Sequence, residues 1–127
     1  MPVPVSRAKI AVLALVLVLA GCRSGTGQAA RIHHVVLIKL RDPSQLEALM
    51  HDCDAAMAAI PAVRDYWAGT PQRPARERVD GDYDLGLHLG FASDVDYQAY
   101  IDHPRHQELN ATWAPRAESL RIYDVVK

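Results

Sequence analysis

The segment from Ile32 to Leu40 (IHHVVLIKL) constrains the fold of this chain most, because it predicts a β-strand that is apolar on both faces. The two-residue repeat of a strand gives one face with His34, Val36, Ile38 and Leu40, and a second with His33, Val35, Leu37 and Lys39. Such a strand needs cover on both sides. We therefore expect helices over one face of its sheet and a partner over the other.

A helix, a second strand and a loop are predicted next. Ser44-Gln45-Leu46-Glu47 matches a capping box, and apolar residues then recur at helical spacing until Pro61. Cys53 lies on this apolar stripe, which favours a buried, unreactive thiol. Val63 to Thr70 predicts a strand. Pro71 to Asp80 contains two prolines and three arginines, which is typical of an exposed connector or of a lid over a pocket.

The second half of the domain predicts a strand, two helices and a last strand. Tyr83 to Phe91 alternates between apolar residues and polar residues or glycine, and Ser93 is expected to cap the helix after it. Pro104 fits the first turn of a helix and disfavours helical geometry before it, so one helix should end near His103 and another begin at Pro104. Leu120 to Val126 alternates again.

This order of elements predicts the fold class. Strand, helix, strand, strand, helices and strand form the split arrangement of α+β, ferredoxin-like βαββαβ folds. Such a fold has a four-stranded antiparallel sheet with helices on one face. The 127 residues, of which 50% are hydrophobic, suffice for one such domain with a core and are too few for two.

The first residues predict a leader. Arg7 and Lys9 precede the apolar run from Ile10 to Ala20, which is about half the length that a membrane-spanning helix needs. An ordinary secretory signal peptide would fit this run. However, Leu19-Ala20-Gly21-Cys22 resembles the lipobox of bacterial lipoproteins. That resemblance implies a signal peptide over residues 1–21 and acyl chains on Cys22, which would hold the protein on a lipid bilayer.

The lipobox resemblance also defines the domain and its location. Residues 22–30 are rich in small and polar side chains and predict a flexible tether, which leaves residues 31–127 for the domain. Arg23 follows Cys22, where lipoproteins retained in the inner membrane have Asp. We therefore expect a lipid-anchored protein of the cell envelope, on the periplasmic face of the outer membrane in a Gram-negative cell.

The charge of the chain argues against nucleic acid as a partner. The sequence has 14 basic and 15 acidic side chains. Without Arg7 and Lys9 of the leader, 12 basic side chains remain against 15 acidic ones, a net charge of −3. A domain with this balance lacks the basic surface that binds a phosphate backbone.

Three segments together resemble one family. The first strand, His34 to Leu40, resembles the "His, four apolars, Lys, apolar" opening of stress-responsive dimeric α+β barrel (Dabb) proteins. The segment Tyr100-Ile101-Asp102-His103-Pro104-Arg105-His106 resembles their Tyr-x-x-His-Pro-x-His motif, and Ile122-Tyr123-Asp124 resembles their closing strand. The resemblance covers the chain from about Arg31 to its end.

The resemblance implies a partner and a pocket. In this family two subunits pair their exposed sheet faces into a barrel, which implies a homodimer. Some plant members are polyketide cyclases that use a His and a Tyr in a pocket between sheet and helices. The positions that carry over as catalytic are His34, Tyr100 and His106, and a further histidine of these cyclases falls at Leu85 here. The ligand-binding residues are then expected to be His34, Leu85, Tyr100, His106 and Trp113.

Three functions remain open at this point. The first is a membrane-anchored, stress-related dimer that binds a small apolar or aromatic molecule. The second is a cyclase- or lyase-like enzyme with His106 as general base, Tyr100 as acid or orienting donor, and His34 in the pocket wall. The third is metal or haem binding by His33, His34, His103 and His106, of which His33 and His34 point to opposite faces. No Cys or acidic ligand accompanies them at a recognised spacing, so the sequence predicts no metal site and no cofactor.

Overall fold

The computed structural model describes residues 29–127. The predicted signal peptide, the lipidation site Cys22 and most of the predicted tether lie outside this part. The elements are β1 (Ile32–Leu40), α1 (Leu46–Ala58), β2 (Asp65–Gly69), β3 (Leu85–Phe91), α2 (Asp94–Asp102), α3 (Pro104–Trp113) and β4 (Ala117–Val126). Short 3-10 turns precede α1 and β4, at Pro43–Gln45 and Ala114–Arg116.

The four strands form one antiparallel sheet in the order β2-β3-β1-β4. This confirms the ferredoxin-like arrangement predicted from the sequence. The bounds of β1 match the prediction, and those of the other strands differ from it by at most three residues, the largest difference being that β4 begins at Ala117 rather than at Leu120. Strand β1 lies inside the sheet and pairs with β3 on one side and with β4 on the other.

The two faces of β1, both predicted to be covered, differ in burial within the described residues. Along β1 the residues alternate between buried and half-buried positions. The buried face packs with α1 and with β3, whose Leu85, Leu89 and Phe91 are fully buried. The other face, which we call the outer face, carries His33, Val35, Leu37 and Lys39 of β1. Packing against helices accounts for the buried face, while the described residues cover the outer face only in part.

The predicted capping box at the start of α1 is wrong. Asp42 accepts hydrogen bonds from Ser44 N at 3.0 Å and from Ser44 Oγ at 2.7 Å. The Ser44 hydroxyl is therefore a donor to Asp42, and the residue that precedes α1, Gln45, makes no side-chain cap. The carboxylate of Asp42 competes for the hydroxyl because it lies two residues away and accepts hydrogen bonds more strongly.

The helix break at His103 and Pro104 is confirmed. His103 has extended geometry (φ −68°, ψ 133°), donates its N–H to Tyr100 O, and accepts from Arg105 N through Nδ1 at 3.2 Å. It therefore ends α2 and caps α3. The break places Tyr100 in the last turn of α2 and His106 in the first turn of α3.

Within residues 29–127, no helix is both long enough and apolar enough to cross a bilayer.

Candidate functional site

A cavity of about 370 Å³ lies between the sheet and the helices. Its volume falls in the range of small-molecule sites in proteins. Most of its wall is apolar, and the polar side chains that line it are His34, Tyr97, Tyr100, His106, Gln107 and Asn110. The wall therefore combines a large apolar surface with a few polar groups, which is typical of a site for a small organic molecule.

His34, Asp124 and Tyr97 form a hydrogen-bonded group at this cavity. His34 on β1 lies directly opposite Asp124 on β4, and its Nδ1 is 2.6 Å from Asp124 Oδ1. The Tyr97 hydroxyl of α2 donates to Asp124 Oδ2 at 3.0 Å and lies 3.0 Å from His34 Nδ1. The carboxylate can only accept, so the Nδ1 of His34 carries a proton. Asp124 is thereby paired with two donors.

This pairing leaves the second ring nitrogen of His34 available. Nε2 makes no hydrogen bond within residues 29–127, although His34 is only 4% exposed and lines the cavity. With its proton held at Nδ1, a neutral His34 ring has its lone pair on Nε2. His34 can therefore accept a hydrogen bond, or a proton, from a molecule in the cavity.

His106 has both ring nitrogens engaged. Nδ1 donates to the carbonyl oxygen of Ile101 at 3.1 Å, and Asn110 Nδ2 donates to Nε2 at 3.1 Å. Burial lowers the pKa of His106, and the hydrogen bond to Ile101 opposes this shift. The ring is therefore held neutral and in one tautomer.

Tyr100 is the buried centre of an aromatic cluster. Its ring centroid lies 4.1 Å from that of His106, 5.1 Å from that of Phe91 and 5.8 Å from that of His34. Burial raises the pKa of its phenol well above the ordinary value. Its hydroxyl makes no hydrogen bond among the described residues and remains a neutral donor at the cavity wall.

The other residues predicted for the pocket divide into two groups. Trp113 lines the cavity, and its Nε1 donates to Asp52 at 3.0 Å. Leu85 is fully buried but does not line the cavity, whereas Leu87, on the same side of β3, does. Cys53 is buried, as predicted, and it also lies in the wall of the cavity. Burial raises the pKa of its thiol to about 12.

Sequence reasoning missed Tyr97 and Asp124 as site residues. Asp124 occurs in β4 two residues after Ile122, which lines the cavity, so alternation puts its carboxylate on the same face. The available signal was a carboxylate on the face of the predicted last strand whose other residues are apolar. Tyr97 lies one helical turn before Tyr100, which puts both phenols on one side of α2.

The part of the chain from residue 29 to residue 127 contains no group of three or more His, Cys, Asp or Glu side chains placed to hold one metal ion. His33 and His34 lie on opposite faces of β1. His103 and His106 are engaged at the helix break described above.

The sequence profile of the stress-responsive A/B barrel domain, Dabb, matches residues 32–127. No curated protein sequence matches the chain significantly. Among solved structures, a dimeric ferredoxin-like protein of unknown function from Thermobifida fusca is 25% identical, with a TM-score of 0.65; the alignment covers 79% of this chain and 93% of that one.

Two further structures share the fold. A Dabb family protein from Mesorhizobium loti is 25% identical, with a TM-score of 0.65 over 77% of this chain and 97% of its own. The hydroxynitrile lyase of Passiflora edulis is 19% identical, with a TM-score of 0.67 over 77% of this chain and 94% of its own. At that identity the likeness to the lyase shows the fold alone.

The burial of His106 should make the stability of the fold depend on pH. Because its pKa in the folded chain is below the ordinary 6.5, the unfolded chain binds a proton there more readily. The free energy of unfolding should therefore fall as the pH drops below about 6.5, and level off below the folded pKa. We expect His106→Gln to flatten this fall, as measured by urea unfolding from about pH 7.5 to about pH 4.5. His51→Gln, which removes an exposed histidine of α1, is the control. An unaltered pH dependence in His106→Gln would contradict the assignment.

Proposed function

Because the chain belongs to the stress-responsive A/B barrel domain family, we propose that it binds a small, largely apolar molecule with one polar group in the cavity between sheet and helices. One observation carries this proposal: two polar atoms at an apolar wall, His34 Nε2 and the Tyr100 hydroxyl, have no hydrogen-bond partner among the described residues. One is an acceptor and the other a donor. A hydroxyl group of a ligand can pair with either atom, whereas a carbonyl oxygen can pair only with the Tyr100 hydroxyl.

The free energy of binding favours a ligand that is largely apolar and carries one polar group. A polar atom at an apolar wall loses water when the cavity fills, which costs about 1–3 kcal/mol unless the ligand restores a hydrogen bond. Burying the rest of the ligand against Val36, Ile38 and Leu87 contributes about 25 cal/mol per Å² of apolar surface. A fully apolar molecule would leave the polar atoms unpaired, and a strongly polar one would gain little from the wall.

We also propose that two copies pair through the outer face of the sheet. Trp67, Tyr123 and Val125 are all more than half exposed, at 62%, 52% and 60%, and all three lie on that face. Exposed apolar surface of this kind marks a protein interface. The related Thermobifida fusca protein, at 25% identity, is dimeric. A second copy would supply the cover that the apolar outer face of β1 needs.

Acid–base catalysis in the same cavity is a second candidate, favoured by the hydrogen bond between His34 and Asp124. A carboxylate on Nδ1 fixes the tautomer, directs the lone pair of Nε2 into the cavity and stabilises the ring once it gains a proton. Tyr100 can donate to an oxygen of the substrate. The geometry thus favours His34 as the base over His106, because Asn110 donates to the Nε2 of His106.

We further propose that the domain is held on a membrane through acylated Cys22, as the lipobox resemblance implies. Several acyl chains bind a bilayer far more firmly than one chain does. The proposal rests on the sequence of residues 1–22, which lies outside the described residues.

Narrowing the mouth of the cavity should weaken ligand binding. Ile122 lines the cavity and is 55% exposed, so Ile122→Trp should fill its mouth without disturbing the core. We expect the variant to bind small aromatic alcohols about tenfold more weakly than the wild type in calorimetric titrations, which is a loss of about 1.4 kcal/mol. Val95→Trp, at a 77% exposed position of α2, is the matched control. Equal binding by Ile122→Trp and the wild type would contradict the proposed site.

Catalysis, if the second candidate is correct, should depend on His34. The test measures cyanide release from a hydroxynitrile, the substrate class in the name of the Passiflora edulis protein. We expect His34→Gln to lower kcat/KM by about 10²-fold or more, and His106→Gln to lower it less. His51→Gln serves as the control. Absence of turnover by the wild type would exclude this activity, and turnover that survives His34→Gln would exclude His34 as its base.

Lipidation should depend on Cys22. Cys22→Ser removes the thiol that acylation requires, so we expect the variant to appear in the soluble fraction of cells that retain the wild type in the membrane fraction. Cys53→Ser, which alters the other thiol of the chain, is the control. Equal membrane retention of Cys22→Ser and the wild type would disprove the anchor.

A further inference from the structure

His33 and His88 form a hydrogen-bonded pair on the outer face, on the other side of the sheet from the cavity. His33 Nδ1 and His88 Nε2 are 3.0 Å apart, and the ring planes are inclined by 27°. The two residues lie on the central strands β1 and β3, diagonally opposite each other on rungs two apart, which puts both side chains on the same face. Both are half-buried. Neither residue lines the cavity, and neither belongs to the three segments that resemble the Dabb family.

The spacing of these two nitrogens is close to that of two ligands on one metal ion. Zinc binds imidazole nitrogen at about 2.0–2.1 Å with tetrahedral angles, which places neighbouring ligand nitrogens about 3.3–3.4 Å apart. The observed 3.0 Å is a few tenths of an ångström shorter. A metal ion would replace the proton shared by the two rings, and the rings would turn so that both lone pairs point at the ion. Imidazole ligands suit zinc, copper and nickel.

One chain supplies only part of such a site. Within residues 29–127 no third His, Cys, Asp or Glu joins the pair. A two-fold interface, however, brings the same patch of both copies together. The pair lies on the two central strands of the face through which we propose that two copies meet. A two-fold axis that passes beside the pair would bring the second pair of histidines to the first and complete a four-nitrogen site, and the proposal requires the axis to lie there.

The surroundings of the pair suit a bound cation. Val35 lies directly opposite His88 in the ladder, and Trp67 flanks His88 on its other side. These apolar neighbours would exclude water in a dimer, which strengthens the attraction between a metal ion and its ligands. Asp65 lies on the same rung as His33, separated from it by Gly90.

Gly90 allows the Asp65 carboxylate to approach the centre of the outer face. A Cβ at Gly90 would lie only 2.9 Å from Asp65 Oδ2, so any larger residue would displace this side chain. A carboxylate close to a metal-bound histidine accepts a hydrogen bond from the outer ring nitrogen and orients the ring. Among the described residues Asp65 makes no hydrogen bond with His33, so it could orient this ring only after its side chain turned towards it.

We propose that two copies of this chain hold one transition-metal ion of the imidazole-binding class, such as Zn²⁺, between their outer sheet faces. His33 and His88 of each copy are the ligands. The site rests on the proposed pairing of the two copies and is independent of what the cavity binds.

The test uses the full chain without a histidine tag, freed of metal with a chelator and titrated with Zn²⁺ by calorimetry, while light scattering gives the mass. We expect a dimer that binds one Zn²⁺ per two chains. His33→Gln and His88→Gln should each weaken Zn²⁺ binding by about tenfold or more. Loss of a residue that only hydrogen-bonds to a metal ligand already weakens metal binding by about this factor, and loss of the ligand itself should weaken it at least as much. His51→Gln, which removes an exposed histidine, should bind Zn²⁺ as the wild type does.

The outcomes separate the metal site from the pairing. A dimer that binds no Zn²⁺, or that binds it equally well in the wild type, His33→Gln and His88→Gln, would overturn the metal site and leave the dimer standing. A protein that stays monomeric with and without Zn²⁺ would overturn both. Circular dichroism of each variant checks that a loss of binding does not come from unfolding. If a glutamine variant unfolds, His33→Asn or His88→Asn replaces it in the same titration.

Discussion

The antiparallel pairing of β1 with both β3 and β4 is the constraint on which the rest of this structure depends. It fixes the register in which His34 lies opposite Asp124, two residues separated by 90 positions in sequence. A shift of one residue would turn every side chain of β1 to the other face and bury Lys39 in place of Ile38. The same pairing leaves β1 with a second, less covered face. Both candidate sites therefore follow from the position of one strand.

The two histidines of the cavity show how local contacts give the same residue type different chemistry. His34 has a carboxylate on one nitrogen and open space at the other, so it can exchange a proton with a ligand. His106 has a carbonyl oxygen on one nitrogen and an amide donor on the other, so it is a neutral part of the wall. Burial lowers the pKa of His106 and supports the same assignment. A ligand would meet His34 and Tyr100 as its polar partners, with His106 stacked behind Tyr100.

The two faces of the sheet would serve different purposes. The helix-covered face encloses the cavity, whose wall is formed by side chains of the strands and of the three helices packed over them. The outer face has exposed aromatic and aliphatic side chains around a histidine pair, and residues 29–127 of one chain leave it partly uncovered. A dimer formed through this face would leave the cavities of both copies accessible. Ligand binding would then involve one face of β1, and pairing of the two copies would involve the other.

The sequence by itself determined the order of the elements and the helix break at His103 and Pro104. It also determined that both faces of β1 are largely apolar and that Cys53 is buried. These features depend on short-range rules of alternation, helical spacing and proline geometry, which act within a few residues. It also identified His34, Tyr100 and His106, since those carry a family motif. Only the tertiary structure decided that Asp124 and Tyr97 form hydrogen bonds with His34. It also decided that Leu87, and not Leu85, lines the cavity. The contact between His33 and His88 is likewise a result of the tertiary structure. Each of these depends on strand register and helix packing between distant segments, which no local pattern encodes.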